Sequence, residues 1–243
     1  MKTTKNIANR VIFLIFLCIH LSTVGQNYTQ DMEKVEKKYK QEEISFHVKY
    51  LFYPYDSLKK VTDSMQAACS LSHGQYYYKV INGGKEYEYV RNTKYFCIVD
   101  HVEKVIAVKK SSESGSQLWD INKMDSIIHS PFMKISYKEI GNNEGEYDMK
   151  LTEGVWTNIS LVFNKTNYTI ISMSMSSTRK GNMYGQNFNH PKISMVYTKY
   201  NTATIDESLF NDAKFFSEST AGVTTLTEMY KKYKLLNYLQ KRS

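Results

Sequence analysis

Histidines and one short acidic cluster are the residues best suited to chemistry in this chain. Beyond residue 25 the histidines are His47, His73, His101, His129 and His190. No two of them stand at the i and i+4 spacing that places two metal ligands on one face of a helix. The densest polar cluster, Asp100-His101-Val102-Glu103, could hold a cation, but it falls between two predicted strands, where such residues commonly form turns. The sequence therefore predicts a hairpin turn here and no metal site.

Nucleophilic and cofactor chemistry lack their usual sequence signals. The chain has no G-x-S-x-G elbow, no C-x-x-C pair and no glycine-rich phosphate loop. Cys97 lies within an apolar run, where a thiol is ordinarily inert. We therefore expect a protein without a catalytic step and without a cofactor. The enzymatic alternative is an exported hydrolase whose catalytic residues are scattered along the chain.

Cys69 and Cys97 are the two cysteines that follow residue 25. In an oxidising compartment they could form a disulfide, and the alternative is two small buried apolar side chains. The sequence leaves both alternatives open, because pairing depends on whether the two sites meet in space.

The first 25 residues predict a cleavable signal for export. Three basic residues precede an apolar run from Val11 to Leu21, and small residues close it at Thr23-Val24-Gly25. The apolar run is shorter than the roughly 20 residues that a membrane-spanning helix needs, and it contains His20. We expect a soluble periplasmic or secreted protein and not an integral membrane protein.

Composition limits the partners of the remaining chain. Residues 1–25 carry three basic residues and no acidic one, so their removal lowers the formal net charge from +8 to +5. The lysines are spread along the chain among glutamates, whereas a nucleic-acid-binding protein would cluster them. We therefore predict no nucleic-acid partner, and a single domain over residues 26–243, since no linker divides it.

Hydrophobic spacing predicts a helix and then a long strand at the start of this domain. Between Gln30 and Glu42 apolar residues recur at helical spacing, with Thr29 available as the N-cap. From Ile44 to Phe52 apolar and polar residues alternate, as in a strand with one buried face, and Pro54 ends the pattern.

Further strands are predicted by short alternating runs rich in tyrosine and β-branched residues. They cover residues 75–81, 86–91, 95–99, 104–109, 133–137, 147–151, 159–163, 171–175 and 193–197. Helical spacing predicts a helix from Ser114 to Ser130. A capping box at Thr225 and Glu228 predicts a final helix from Leu226 to Gln240. A longer loop is expected from Thr178 to Pro191.

About ten strands without a βαβ rhythm predict an α+β fold with a large antiparallel sheet. A sheet of this size should curl into an incomplete β-barrel, with helices covering its concave face. Met149, Met173, Met175 and Met195 recur on the apolar faces of successive strands. Flexible methionines suit a cavity that accepts varied apolar ligands, and ordinary core packing is the alternative.

The order of elements resembles the LolA-like family of periplasmic lipoprotein carriers. The resemblance extends from Met32 to Phe216 and consists of the order of helices and strands and the spacing of apolar residues. The segments that carry it are Ile44 to Tyr53, Gly74 to Val80, Tyr95 to Asp100 with Lys104 to Val108, and Lys192 to Tyr200 with Ile205-Asp206 and Phe210.

The resemblance implies an apolar half-barrel that holds acyl chains, another hydrophobic molecule or a lipidated protein. We expect an exported binding protein of this kind, with a lipid, a lipoprotein or an envelope protein as its partner. The candidate lining residues are Phe46, Tyr50, Phe52, Met149, Met173 and Met195. The alternative is a cell-envelope interaction module with a filled core, which docks through its final helix or through the loop from Thr178 to Pro191.

Overall fold

The computed structural model describes residues 23–54, 61–113, 133–141, 143–183, 186–220 and 223–239. These residues contain one α-helix, α1 (Thr23–Gln41), and otherwise strands, turns and short 3₁₀ segments. Most of the predicted signal, residues 1–22, and the predicted helix from Ser114 to Ser130 lie outside the described residues. Within them, no helix is both long enough and apolar enough to cross a membrane.

Sixteen strands follow α1 in the described part of the chain. They are β1 (Ile44–Tyr53), β2 (Asp63–Ser72), β3 (Gln75–Asn82), β4 (Lys85–Arg91), β5 (Tyr95–Asp100), β6 (Val105–Lys110), β7 (Met133–Gly141), β8 (Glu144–Leu151), β9 (Trp156–Asn164), β10 (Ile170–Ser177), β11 (Lys180–Met183), β12 (Gln186–Asn189), β13 (Lys192–Asn201), β14 (Phe216–Glu218), β15 (Thr224–Leu226) and β16 (Lys234–Asn237).

Twelve of these strands form one sheet in the order β16-β6-β5-β4-β3-β2-β1-β13-β10-β9-β8-β7. All neighbours are antiparallel except β16, which runs parallel to β6. The sheet curls, but β16 and β7 remain at its two edges, so it does not close into a barrel. The predicted curled antiparallel sheet is confirmed. The expectation of several covering helices is wrong for the described residues, where α1 alone lies on the sheet.

The predicted final helix from Leu226 to Gln240 is also wrong. This segment contains the end of β15, a 3₁₀ turn at Glu228–Tyr230 and strand β16. The helical pattern is outweighed by tertiary pairing, because β16 hydrogen-bonds to β6, which would otherwise be an edge strand with unpaired backbone groups. The predicted loop from Thr178 to Pro191 likewise contains a hairpin, in which β11 pairs with β12.

Strand alternation divides the apolar residues between the two faces of the sheet. The face that carries α1, called the helix face below, holds the larger core, which includes Phe46 and Leu161. The opposite face holds a smaller core over β4, β5 and β6, where Phe215, Phe216 and Tyr230 of the C-terminal segment are buried. The sheet is therefore covered on each face by a different part of the chain.

The contacts of α1 explain why it lies across this sheet. Tyr28, Met32, Val35 and Tyr39 form its buried stripe. The ring of Tyr28 meets the ring of Tyr147 edge-on at 4.9 Å between centroids. All four buried side chains come after residue 25, so they remain in the chain if the predicted signal is cleaved there.

The buried hydroxyl groups at this contact have partners, as burial requires. Tyr147 donates its hydroxyl to Asp31 of α1 at 2.8 Å. The hydroxyl oxygen of Tyr39 accepts the Ile170 N–H at 2.9 Å and lies 2.6 Å from the hydroxyl of Tyr200. Burial raises the pKa of Tyr39 to about 12, which keeps its hydroxyl neutral against the core.

Cys69 and Cys97 do not form the disulfide that the sequence left open. Both are free thiols, and both are buried. Cys69 lies in the core of the helix face, whereas Cys97 lies in the core of the opposite face. Strands β3 and β4 separate them, which corresponds to about 14 Å at the usual strand spacing, too far for a disulfide.

Gly145 permits close packing of two aromatic rings in the helix-face core. A Cβ atom at this position would lie 2.9 Å from Tyr137 Cε2 and 3.1 Å from Phe163 Cε1. The two rings therefore occupy the space that any other side chain would need. At Gly141, in the preceding strand, a Cβ atom would meet only the Glu144 side chain, at 3.7 Å.

We predict that Gly145→Ala lowers the free energy of unfolding by about 1–3 kcal/mol, because the added methyl overpacks the core. The measurement is urea unfolding of the variant and of the wild type. Gly141→Ala is the matched control and should unfold within about 0.5 kcal/mol of the wild type. Equal losses in both variants would contradict the role assigned to the two rings.

We also predict that neither buried thiol reacts with a thiol reagent in the folded protein. Burial raises the pKa of Cys97 to about 12 and raises the pKa of Cys69 as well, so the reactive thiolate is scarce near pH 8. Protein that begins at residue 26 should release two thiols only after denaturation, and its mass should not change on reduction. Rapid labelling of the native protein would refute this prediction.

Candidate functional site

The structure brings the six predicted lining residues together on the helix face. Phe46, Tyr50, Met149, Met173 and Met195 are all buried in one core, and half-buried Phe52 packs against them. Three of them adjoin one another across strands, since Tyr50 lies opposite Met195 and Met195 lies opposite Met173. Whether they line a ligand cavity stays a prediction, because five of the six are packed by the protein itself.

The position of α1 accounts for this burial. Tyr28 donates its hydroxyl to the Met149 sulfur at 3.2 Å, and Tyr39 meets the ring of Phe46 edge-on at 5.7 Å between centroids. Lys34 donates to the Tyr168 hydroxyl at 2.8 Å, beyond the end of β9. The helix therefore crosses the sheet from β8 to β1 and covers the end at which β1 begins.

The other end of the same face carries a row of half-buried apolar side chains. We call this row the methionine belt; its members are Phe52, Met65, Met133, Ile135, Met175 and Ile193. Phe52 lies opposite Ile193, and Ile193 lies opposite Met175, so the belt is continuous across β1, β13 and β10. On β2 the residue opposite Phe52 is Asp63, which bounds the belt there. An apolar row that keeps partial contact with solvent can bind an apolar molecule.

Methionine is concentrated on the helix face. Of the eleven methionines in the chain, four are buried in its core and three lie in the belt. Methionine side chains are flexible and polarisable, so they adapt to ligands of irregular shape. This composition favours a site that accepts a class of apolar molecules over one shaped for a single compound.

A second half-buried region continues the helix face over β3 to β6. We call it the tyrosine face; its members are Tyr76, Tyr87, Tyr89, Ile98 and Ala107. Tyr89, Ile98 and Ala107 stand opposite one another on three successive strands. Burial raises the pKa of Tyr89, so its ring carries a neutral hydroxyl group. Such a surface can contact an apolar chain and donate hydrogen bonds at the same time.

Two parts of this site were missing from the sequence prediction. Met65 lies in β2, a strand that was not predicted because its apolar residues are few and small. Tyr87 and Tyr89 fall in a predicted strand, but strand alternation alone does not tell which face of a sheet stays accessible. The period-two pattern does place Met133 and Ile135 on one face, and so could have added them to the lining set.

Within the polar cluster that the sequence singled out, His101 lies on the opposite face, whereas Asp100 stands opposite Tyr87 of the helix face. Asp100 accepts the N–H groups of Val102 and Glu103, each at 2.9 Å, as the predicted turn requires. His101 reaches back into the sheet, where its Nε2 lies 3.0 Å from Glu88 Oε1. Within the described ranges Glu86, Glu88 and His101 have potential metal-ligand atoms that all lie within 4.8 Å of one another.

Neighbouring cations already pair with these carboxylates. Lys79 lies 2.8 Å from Glu86, and Lys214 lies 3.7 Å from Glu88. Burial lowers the pKa of Lys214, whose ammonium group also lies 4.8 Å from the ring centroid of Tyr77. The second His101 nitrogen, Nδ1, is 2.9 Å from the Tyr233 hydroxyl. The cluster therefore ties the C-terminal segment to the sheet.

Comparison with known proteins gives no match at the level of sequence. No protein-family model matches the chain, and no curated protein matches it.

Solved structures of similar architecture exist at very low sequence identity. An uncharacterised conserved protein from Thermus thermophilus aligns with a TM-score of 0.49 at 6% identity, over 87% of this chain and 99% of that one. A LolA superfamily protein from Nitrosomonas europaea aligns with a TM-score of 0.37 at 9% identity, over 79% and 99%. The MucA/MucB complex from Pseudomonas aeruginosa gives 0.43 at 11%, over 82% and 74%.

One of these three structures is described as a LolA superfamily protein, the family that the element order of this chain resembles. With identities of 6 to 11% and TM-scores below 0.5, nothing about ligand, partner or activity is transferred to this chain from these three structures.

Proposed function

We propose that this chain is an exported binding protein of the cell envelope that holds a lipid or a similar apolar molecule without a catalytic step. The site is the part of the helix face that α1 leaves half-buried, formed by the methionine belt and the tyrosine face. The observation that carries the proposal is the apolar continuity of this surface with the core of the protein.

The separation of residue types between the two faces supports this proposal. Behind the belt, on the opposite face, Ser174 lies opposite both Ser160 and Ser194, so serines stand where the belt has methionine and isoleucine. A strand needs only one apolar face to pack against α1. Across β9, β10 and β13 the apolar residues nevertheless continue past α1 on the helix face, where Ser160, Ser174 and Ser194 hold the opposite face, as expected of a surface that is covered by a ligand.

The energy of such binding would come from removal of apolar surface from water. Each methylene group buried against the belt contributes about 0.8 kcal/mol, so about ten methylene groups supply the roughly 8 kcal/mol of micromolar binding. Flexible methionines tolerate differences in chain length and unsaturation. This favours selection of a class of lipid over selection of one molecule.

An interaction module with a filled core is the second candidate. It is favoured by the burial of Phe46, Tyr50, Met149, Met173 and Met195, which leaves this part of the face packed by α1. In that function the belt would be covered by a protein partner of the envelope instead of a lipid. Of the two elements through which this module was expected to dock, the final helix is replaced by β16, and the loop from Thr178 to Pro191 contains the hairpin of β11 and β12.

Native mass spectrometry of the protein purified from its own host separates the two candidates. The binding protein should carry a noncovalent mass that organic extraction releases as an acyl lipid. The interaction module should instead appear bare, or in a stoichiometric complex with another protein. The second result would overturn the lipid proposal.

We predict that Met175→Asp weakens binding of a fluorescent fatty-acid analogue at least about tenfold, because it places a charge in an apolar site. Ser174→Asp is the matched control, since Ser174 is the preceding residue and points to the opposite face. The control should bind as the wild type does. Both variants are first compared with the wild type by thermal unfolding, and equal affinity of the two folded variants would refute the site.

A further inference from the structure

We infer that Arg91 and Lys109 form a subsite for the anionic headgroup of the bound lipid, at the end of the tyrosine face. This inference rests on the proposed function and adds a charge preference to it. Both side chains are half-buried, and they stand on the same face of the sheet as the proposed lipid site. The ligand class is an amphiphile with a carboxylate or phosphate group.

Strand register places the two cations in one row with two aromatic rings. Arg91 lies between Tyr76 on β3 and Phe96 on β5, and Phe96 lies opposite Lys109 on β6. Tyr87 and Tyr89 precede Arg91 by four and two residues on β4, so all three side chains point to the helix face. The row therefore ends the apolar surface with positive charge.

The two cations pack on the aromatic rings of this row. The Arg91 guanidinium carbon lies 5.9 Å from the ring centroid of Tyr76, and the Lys109 ammonium nitrogen lies 4.9 Å from that of Phe96. The Tyr76 and Phe96 rings are 6.1 Å apart, so one aromatic pair supports both charges. Arg91 Nε also donates to Ser111 Oγ at 3.0 Å, which restrains the guanidinium group.

Neither cation is neutralised by a carboxylate within the described ranges. The ion pairs found there engage other cations, including Lys79, Lys165 and Lys214, but not Arg91 or Lys109. Two like charges on one row of a sheet repel each other, and partial burial strengthens that repulsion. A bound anion would relieve it, and the planar guanidinium suits the two oxygens of a carboxylate or phosphate.

The apolar surface beside these cations selects an amphiphile over a free anion. Tyr89 precedes Arg91, and Ala107 precedes Lys109, by two residues, which is about 7 Å along a strand. A headgroup held by the two cations would direct its tail over Tyr89 and Ile98. From there the helix face continues to the core and to the belt.

The test compares palmitic acid with its methyl ester, which has the same chain but no charge. At about pH 8 the acid is ionised, and the wild type should bind it at least about tenfold more tightly than the ester. The double variant Arg91→Gln with Lys109→Gln should bind both ligands with the affinity that the wild type has for the ester. Lys109→Gln alone should lose part of the preference, which keeps the test valid if the double variant does not fold.

Lys110→Gln is the matched control, since Lys110 is the next residue on β6, is exposed and points to the opposite face. It should keep the full preference for the acid. Equal binding of acid and ester by the wild type, or loss of the preference in the Lys110 variant, would overturn the headgroup subsite. Displacement of palmitic acid by inorganic phosphate alone would overturn it too, because it would identify a free anion as the ligand.

The outcomes also separate this inference from the proposed function. If acid and ester both bind but bind equally, the apolar site stands and the charge preference fails. If neither binds, the lipid-binding function fails and the subsite fails with it.

Discussion

The packing of one helix against one face of a twelve-stranded sheet is the constraint on which the rest of this structure depends. Every strand near the centre contributes apolar side chains to that face, and α1 covers them near the start of β1. Its tyrosines bury both ring and hydroxyl, so each hydroxyl needs a fixed partner such as Met149 or Tyr200. These contacts set where the helix lies, and so they decide which part of the face stays half-buried.

Strand positions could be predicted from the sequence because alternation is local. Ile44 to Phe52 and Ile159 to Phe163 show it clearly, and both segments lie in strands. The end of the chain could not be predicted in this way. The spacing of Leu226, Met229 and Tyr233 fits a helix, but the segment that follows forms a strand, in which Leu235 and Leu236 pair with β6. Because β6 lies more than a hundred residues earlier in the chain, a local sequence pattern cannot predict this pairing.

For the candidate site, too, the sequence predicted the local strand pattern but not the contacts made by distant parts of the chain. Alternation assigned Met149, Met173 and Met195 to one face, and the structure confirms that shared face. It could not show that α1 buries these three while Met175 and Ile193, one row further on, stay half-buried. Accessibility depends on where a covering element stops, which is a property of the whole fold. The proximity of Arg91 and Lys109 could not be predicted from the sequence either. It depends on strand register, which brings residues of β4 and β6 into one row.

The parallel pairing of β16 with β6 bears on how molecules of this protein can associate. Sheet edges present unpaired backbone groups that invite another strand, and β16 is a short edge of four residues. The other edge, β7, is longer and carries Lys134 and Lys138 pointing outward among exposed positions. Charged side chains on a long edge oppose the stacking of strands from a second molecule. Growth of the large sheet into fibrils would need two edge strands that can pair with strands of other molecules. Within the described residues, one edge strand of this molecule is short and the other carries exposed charges.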